Sequence, residues 1–227
     1  MNMKDCWVTF DCFGTLVDWN AGFSRLLNPV FGPRAAEAMT AYHRHERVIE
    51  AEKPHRLYSD VLSLGLERAA KDLGVSLSDS AVRTLVSGWG TLPVFSDTEP
   101  MLAELRSQGC HLAVLTNCDD ALFEQTHRSF QKRFDLVITA EQVKSYKPAL
   151  AHFERFAETT GVNRANWAHV ACSWFHDIAP ARQMNVSRIW LDRDRTGDDP
   201  SAASVRVETA SQVGGCVRRL LADANSA

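Results

Sequence analysis

The sequence predicts an α/β protein with a doubly wound parallel sheet and an inserted helical domain. Short apolar runs of strand length alternate with helix-like stretches, which is typical of a parallel sheet covered by helices on both faces. The stretch between the first two runs is too long for a simple crossover and has an almost wholly helical pattern. We therefore expect a core sheet with a second, helical unit inserted after its first strand.

Five apolar runs are the candidate strands: 7–10, 111–115, 136–138, 168–171 and 188–191. Polar residues follow four of them. Asp11 comes directly after the first run, Thr116 and Asn117 after the second, Lys147 a little beyond the third and Asp177 beyond the fourth. Because ligands bind outside the carboxyl ends of the strands in such sheets, these side chains are expected at one edge.

The helical insertion is predicted to span residues 19–93, leaving residues 1–18 and 94–227 as the core domain. Two apolar helix faces support this, the first at positions 57, 61, 62, 66, 69, 70 and 73 and the second at positions 82, 85, 86 and 89. We interpret the insertion as a cap domain over the edge of the sheet. After Arg218 the pattern predicts a short final helix and a frayed end.

The composition of the 227-residue chain is that of an ordinary soluble globular protein, with 45% hydrophobic and 23% charged residues. A net charge of -3 gives no reason to expect nucleic acid or a membrane as partner. The first apolar run is broken at once by Asp11, so we expect neither a signal peptide nor a spanning helix, and a cytoplasmic location. The six cysteines show no metal-ligand spacing and are interpreted as free thiols.

The segment 10–18, Phe-Asp-Cys-Phe-Gly-Thr-Leu-Val-Asp, is the strongest chemical signal. Asp11 places a carboxylate at a strand end, and Gly14 allows a sharp turn whose backbone amides can face a bound anion. A carboxylate is a weak nucleophile that a nearby ammonium keeps ionised, and Lys147 is the candidate. Thr15 and Thr116 can fix the carboxylate by hydrogen bonds. Asp177 can pair with Lys147 or position a water molecule.

These residues resemble the motifs of the haloacid dehalogenase superfamily. The segment around Asp11 resembles the first motif, Thr116 the second, the Lys147–Pro148 step the third and Asp177 the fourth. The resemblance runs over nearly the whole chain and implies a Rossmann-like core with Asp11 as nucleophile. It also implies that the substrate forms a covalent aspartyl ester that water then cleaves.

Phe13 argues against the phosphatases of that superfamily, which normally carry a second Asp two residues after the nucleophile. A phenyl ring cannot protonate a leaving alcohol. The fourth motif, residues 172–177, also contains only one carboxylate, Asp177, where magnesium-dependent members usually have two.

With an aromatic residue two positions after Asp11, the first motif resembles that of the L-2-haloacid dehalogenases, which are metal-free members of the superfamily. The resemblance implies that Arg44 meets the departing halide and that Thr116 and Asn117 face the substrate carboxylate. Four further residues are expected to line the pocket: Cys12, Phe13, Trp174 and His176. The match is incomplete, because Trp174, Phe153 and Cys172 stand where that subfamily usually has Asn, Tyr and Ser.

The sequence-based hypothesis is a metal-independent 2-haloacid dehalogenase acting on a small carboxylic acid, without a cofactor. The resemblance also suggests a homodimer through the cap. Three alternatives stay open. The same nucleophile could open a strained small ring on an amino or carboxylic acid, the chain could be a phosphatase without the second Asp that uses magnesium, or it could be a non-catalytic binding module.

Overall fold

The computed structural model describes residues 6–224. Its centre is a six-stranded, fully parallel sheet in the order β3-β2-β1-β4-β5-β6. The strands are β1 (Trp7–Phe10), β2 (His111–Thr116), β3 (Leu136–Thr139), β4 (Trp167–Ala171), β5 (Ser187–Leu191) and β6 (Val205–Val207). The five predicted strands are confirmed to within one residue at each end. The edge strand β6 was not predicted, because it has three residues and carries the exposed Arg206 at its centre.

Eleven α-helices lie within the described residues 6–224. They are α1 (Trp19–Phe31), α2 (Ala35–Ala51), α3 (Tyr58–Asp72), α4 (Asp79–Val82), α5 (Thr84–Gly88), α6 (Thr98–Ser107), α7 (Asp120–His127), α8 (Ala140–Val143), α9 (Ala151–Thr160), α10 (Ala179–Gln183) and α11 (Val213–Ala224). None of them is both long and apolar enough to cross a membrane. The final helix begins at Val213, six residues before the predicted start after Arg218, and the end expected to fray, 225–227, lies outside the described residues.

Helices α1 to α5 and the 3-10 turn Trp89–Thr91 all fall between β1 and β2, within residues 19–93, for which we keep the name helical insertion. Helix α3 follows the predicted apolar face. The second predicted face is divided among α4, α5 and the 3-10 turn. Helices α2 and α3 pack closely because Gly65 has no side chain: a Cβ atom there would lie 2.9 Å from the ring of Tyr42.

A carboxylate after β2 ties the insertion to the edge of the sheet. Asp119 accepts hydrogen bonds from the backbone amides of Tyr58 and Ser59, at 2.5 and 2.8 Å, in the first turn of α3. These amides have no partner inside the helix, and a negative charge is favourable at a helix N-terminus. The contact holds α3 beside the carboxyl ends of β1 and β2.

Two cysteines that we interpreted as free thiols are paired. Cys6 and Cys110 form a disulfide, with their Cα atoms 5.0 Å apart. The interpretation was wrong for these two because they precede neighbouring strands, where Trp7 is in register with His111. A separation of 104 residues hides this proximity in the sequence. The other four cysteines, Cys12, Cys118, Cys172 and Cys216, are free thiols.

Candidate active site

Asp11 extends directly from the central strand β1. Its backbone amide donates to the carbonyl of Val170 at 3.1 Å, so the ladder with β4 continues one residue beyond the strand. The hydroxyl of Thr15 donates to Asp11 Oδ2 at 2.8 Å and accepts the amide of Cys172 at 2.9 Å. Asp11 is 8% exposed and Thr15 is fully buried. One oxygen of the carboxylate is thus fixed by a residue of its own turn.

Gly14 makes this tight turn possible. Its φ of +92° is rarely adopted by L side chains, and a Cβ atom would lie 2.7 Å from Cys172 Sγ. The amide of Gly14 donates to the carbonyl of Val17 at 2.7 Å. This amide is therefore used within the turn, and the prediction that amides of this turn face a bound anion stays open for the others.

Lys147 is the centre of a buried ion cluster. Its Nζ lies 2.9 Å from Asp11 Oδ1, 2.6 Å from Asp177 Oδ1 and 2.9 Å from the carbonyl oxygen of Leu115. An ammonium has three hydrogen-bond donors, so these acceptors occupy all of them. The side chains of Lys147 and Asp177 are each 1% exposed. The structure thus brings together the two carboxylates and the ammonium that the sequence predicted.

The two carboxylates of this cluster are stabilised to different extents. Burial raises the pKa of Asp177, but Lys147 and a hydrogen bond from His169 outweigh it and bring the pKa to about 2. Burial and the charge of Asp177 raise the pKa of Asp11 above its ordinary value, although Lys147 and Thr15 oppose them. Burial lowers the pKa of Lys147, but the two carboxylates raise it overall. One ammonium cannot fully compensate two carboxylates, and Asp11 is the less compensated.

Asn117 holds the backbone of Lys147. Its Oδ1 accepts the amide of Lys147 at 2.7 Å, and its Nδ2 donates to the carbonyl of the same residue at 3.2 Å. The sequence predicted that Asn117 contacts the substrate carboxylate. The structure gives its side chain a different place, because both ends of the amide are engaged with the lysine that positions Asp11.

Two other predicted contacts with Asp11 or the substrate are also absent. The Thr116 hydroxyl donates to Cys118 Sγ at 3.5 Å rather than to Asp11. The side chain of Cys12 is fully buried in the hydrophobic core, and burial raises its thiol pKa well above the usual range. Its side chain therefore packs among core residues and presents no exposed thiol. Neither side chain is placed to contact a substrate beside Asp11.

Arg44 does not reach the site. Its side chain is 69% exposed and its guanidinium lies 3.5 Å from Asp72 on α3. The placement expected for it, beside a departing halide, is wrong. Successive residues on a helix differ in direction by about 100°, and Arg44 lies on the outer face of α2. The preceding residue, His43, faces inward instead: its ring centroid lies 4.7 Å from that of Trp19.

The other three predicted pocket residues are Phe13, Trp174 and His176, in the segments that follow β1 and β4. The half-buried ring of Phe13 packs on Trp89 of the insertion, with centroids 4.6 Å apart. Trp174 donates through Nε1 to the carbonyl of Asp199 at 3.0 Å, which turns its polar atom away from Asp11. His176 is held by Ser173, with Nδ1 and Oγ 3.0 Å apart, and burial lowers its pKa although Asp177 opposes this.

A buried chain of hydrogen bonds that the sequence did not predict lies behind Asp177. His169 Nε2 lies 3.2 Å from Asp177 Oδ1, and His169 Nδ1 lies 2.9 Å from the hydroxyl of Thr9. Trp167 Nε1 donates to the same hydroxyl at 2.8 Å. These residues come from β1 and β4. The signal was a histidine in the middle of an otherwise apolar, fully buried strand.

Comparisons with known proteins identify the family to which the chain belongs. Residues 7–185 match the family model described as haloacid dehalogenase-like hydrolase. An (S)-2-haloacid dehalogenase from Pseudomonas sp. (strain YL) is 23% identical over 194 residues, which cover 82% of each chain. The crystal structure of an L-2-haloacid dehalogenase superposes with a TM-score of 0.85 at 22% identity, covering 95% of this chain and 99% of that one.

A further solved structure contains a covalent ligand. It is an L-2-haloacid dehalogenase from Xanthobacter autotrophicus with chloropropionic acid covalently bound. Its TM-score is 0.79 at 17% identity, and the match covers 93% of this chain and 97% of that one. The likeness extends over both the sheet and the helical insertion, since so little of either chain is left out.

Proposed function

Because the chain belongs to the haloacid dehalogenase-like hydrolase family, we propose that it releases halide from a small 2-haloacid through an ester on Asp11. The observation that carries this proposal is the geometry around Asp11: a buried carboxylate aligned by Thr15 and Lys147, with Phe13 where a proton donor would stand. Halide is a leaving group that needs no proton. The dehalogenase relatives support the choice of substrate.

In the first step, a carboxylate oxygen of Asp11 attacks C2 of the haloacid. The carbon–halogen bond breaks, the halogen leaves with the electron pair, and the configuration at C2 inverts. The raised pKa of Asp11 fits this role, because a carboxylate that is poorly stabilised in its resting state is a better nucleophile. Lys147 keeps it ionised and fixed in direction.

In the second step, water attacks the Asp11 carbonyl carbon and releases a 2-hydroxy acid. We propose that Asp177 orients that water, because its Oδ1 is occupied by Lys147 and His169 while its buried Oδ2 has no partner among the described residues. A low pKa makes Asp177 a hydrogen-bond acceptor rather than a strong base. We expect no metal requirement, because Lys147 already supplies the positive charge between the two carboxylates.

The direct test is release of halide from 2-chloropropionate, with phosphate release from phosphomonoesters measured alongside, each with magnesium and with EDTA. We expect halide release that EDTA does not reduce and that Asp11→Asn abolishes. Asp18→Asn is the matched control, because Asp18 lies in the same segment and only caps α1 through its contact with the amide of Ala21. Metal-dependent phosphate release in place of halide release would overturn the proposal.

A single turnover in heavy-oxygen water tests the covalent step itself. Water attacks the carbonyl of the ester, so the label is expected in the Asp11 carboxylate after one turnover. Mass spectrometry of the peptide that contains Asp11 measures it. Label in the product instead would show that water attacks C2 directly.

The finer expectations on assembly also stay proposals: a cytoplasmic homodimer that packs through the helical insertion, which acts as a cap. Val48 on α2 is 56% exposed, and Phe175, outside the insertion, is equally exposed. Light scattering on Val48→Glu and Phe175→Glu separates the two surfaces. A dimer lost only in Val48→Glu supports the insertion as the interface, whereas a monomeric wild type contradicts it.

A further inference from the structure

The helical insertion carries a histidine–carboxylate pair that halide displacement does not use. His43 and Glu46 lie one turn apart on α2, with Nδ1 and Oε2 2.9 Å from each other. Two tyrosine hydroxyls, Tyr42 at 2.9 Å and Tyr58 at 2.5 Å, donate to the other oxygen of Glu46. Burial raises the pKa of Glu46, but the contact with His43 and, after it, the hydrogen bonds from Tyr58 and Tyr42 outweigh burial and lower the pKa overall, so the carboxylate stays ionised.

Ring contacts connect this pair to the turn after Asp11 on two sides. The ring of His43 lies against Trp19, whose Nε1 would be 3.0 Å from a Cβ atom on Gly14. The ring of Tyr58 lies 5.7 Å from Trp89, which packs on Phe13. His43 and Glu46 therefore belong to the face of the insertion that covers the turn after Asp11.

The second nitrogen of His43 is left without a partner. Nε2 is shielded from solvent and has no hydrogen-bond partner among residues 6–224. With Nδ1 held by an ionised carboxylate, Nε2 is the atom through which the ring can exchange a proton with a substrate. A buried polar atom without a partner is unfavourable, so its presence beside a candidate active site points to a ligand.

A proton donor is useful when the leaving atom is oxygen. An alkoxide is too basic to leave unprotonated, and Phe13 cannot supply the proton. Ordinary ethers remain poor substrates for a carboxylate nucleophile even with an acid nearby. Ring strain removes that obstacle, since opening a three-membered ring releases the strain in the step that breaks the carbon–oxygen bond. A small epoxide bearing a carboxylate fits both the nucleophile and the donor.

We propose that His43, oriented by Glu46, is a general acid and that this site also hydrolyses small epoxy acids such as oxirane-2-carboxylate. Asp11 attacks the ring carbon, the carbon–oxygen bond breaks, and the ring oxygen keeps the electron pair and takes the proton from His43 Nε2. Water then cleaves the ester on Asp11 and releases a dihydroxy acid. The proton freed in that hydrolysis protonates His43 again. The overall reaction therefore converts the epoxy acid and one water molecule into the dihydroxy acid.

The experiment compares diol formation from oxirane-2-carboxylate with halide release from 2-chloropropionate. His43→Phe removes the donor, and His43→Asn keeps a donor toward Glu46 while removing the atom at Nε2, which guards against misfolding of the first variant. Both are expected to lower kcat for the epoxide by about 10²-fold or more while leaving halide release nearly unchanged. Glu46→Gln should lower kcat for the epoxide without changing KM.

His45→Phe is the matched control, because His45 lies on the same helix but pairs with Asp72 at 2.7 Å. Both reactions should be unaffected in it. The proposal is overturned when the wild type forms diol no faster than Asp11→Asn, or when the His43 variants lose both reactions in parallel. It relies on the proposed function only for Asp11 as nucleophile. Diol formation that depends on His43 in an enzyme that releases no halide would contradict the dehalogenase proposal and support this one.

Discussion

Lys147 lies closer to Asp177 than to Asp11, at 2.6 Å against 2.9 Å, although it was predicted as the partner of the nucleophile. The shorter contact agrees with the low pKa of Asp177 and the raised pKa of Asp11. Both carboxylates are buried, so their interactions with the ammonium are screened little by solvent. The site thus contains one well-stabilised carboxylate, Asp177, and one that is less stabilised, Asp11.

Replacing Lys147 by Met should abolish activity and lower the free energy of unfolding at neutral pH by about 3–5 kcal/mol, because it leaves buried carboxylates uncompensated. The loss should shrink in acid. In the wild type, Asp177 has a depressed pKa, and the stability it contributes above the unfolded pKa is lost as pH falls toward about 2. In the variant both carboxyls gain protons on folding, so its stability rises as pH falls.

Urea denaturation at pH 7 and pH 5 measures this difference. Lys144→Met is the control, since Lys144 is exposed in the same loop and its loss should change stability little. An equal loss of stability at both pH values would contradict the charge imbalance described for the cluster.

Asp177→Asn should move the acid limb of the kcat/KM profile to lower pH. The charge of Asp177 raises the pKa of Asp11, and activity needs Asp11 ionised, so removing that charge lets Asp11 remain ionised in more acidic solution. The maximal rate should fall because the water loses its acceptor. Halide release measured across the acid range gives the limb, and Asp18→Asn should leave it in place. A limb that stays or moves upward would refute the coupling.

Asn117→Ala should lower kcat and change KM little, because the side chain holds the backbone of Lys147 rather than a substrate. The loss of two hydrogen bonds to buried backbone groups is expected to cost about 1–3 kcal/mol of stability. Thr116→Val is the neighbouring control, since its hydroxyl contacts only Cys118 Sγ among the described side chains. If Asn117→Ala instead raises KM alone, the substrate contact predicted from the sequence is the better description.

The sequence predicted the sheet and the ion cluster well for a shared physical reason. Buried parallel strands are nearly continuous apolar runs, and polar residues that follow them collect at one edge. Asp11, Lys147 and Asp177 each follow such a run. The edge strand β6 was not predicted, because a strand of three residues with an exposed arginine at its centre has no such pattern.

The insertion was harder to predict, because the direction of a helical side chain depends on packing. One residue changes the direction by about 100°, which is the difference between Arg44 outside and His43 inside. Motif spacing does not determine which of two neighbouring helical residues faces the site. The roles of Asn117 and of the Cys6–Cys110 pair depend on contacts between distant segments, which no local pattern reports.

His169→Leu tests whether the buried chain behind Asp177 serves the second half of the reaction. The substitution removes a buried hydrogen bond to Asp177 and one to the hydroxyl of Thr9, which keeps its contact with Trp167 Nε1, at a cost of about 1–3 kcal/mol in stability. If Asp177 orients the water, ester hydrolysis should slow more than ester formation. The enzyme would then accumulate as an adduct of Asp11 during turnover.

Intact-mass spectrometry of enzyme quenched during turnover of 2-chloropropionate measures that adduct. The control is His127→Leu, which also removes a buried histidine. His127 Nε2 accepts a hydrogen bond from the amide of Phe134 at 3.0 Å and has no contact with Asp177 or Asp11 among those described. A similar loss of stability is expected there without an adduct. Equal slowing of both steps in His169→Leu would instead mean that the chain supports Lys147 and Asp11 together, because Asp177 Oδ1 is shared by His169 and Lys147.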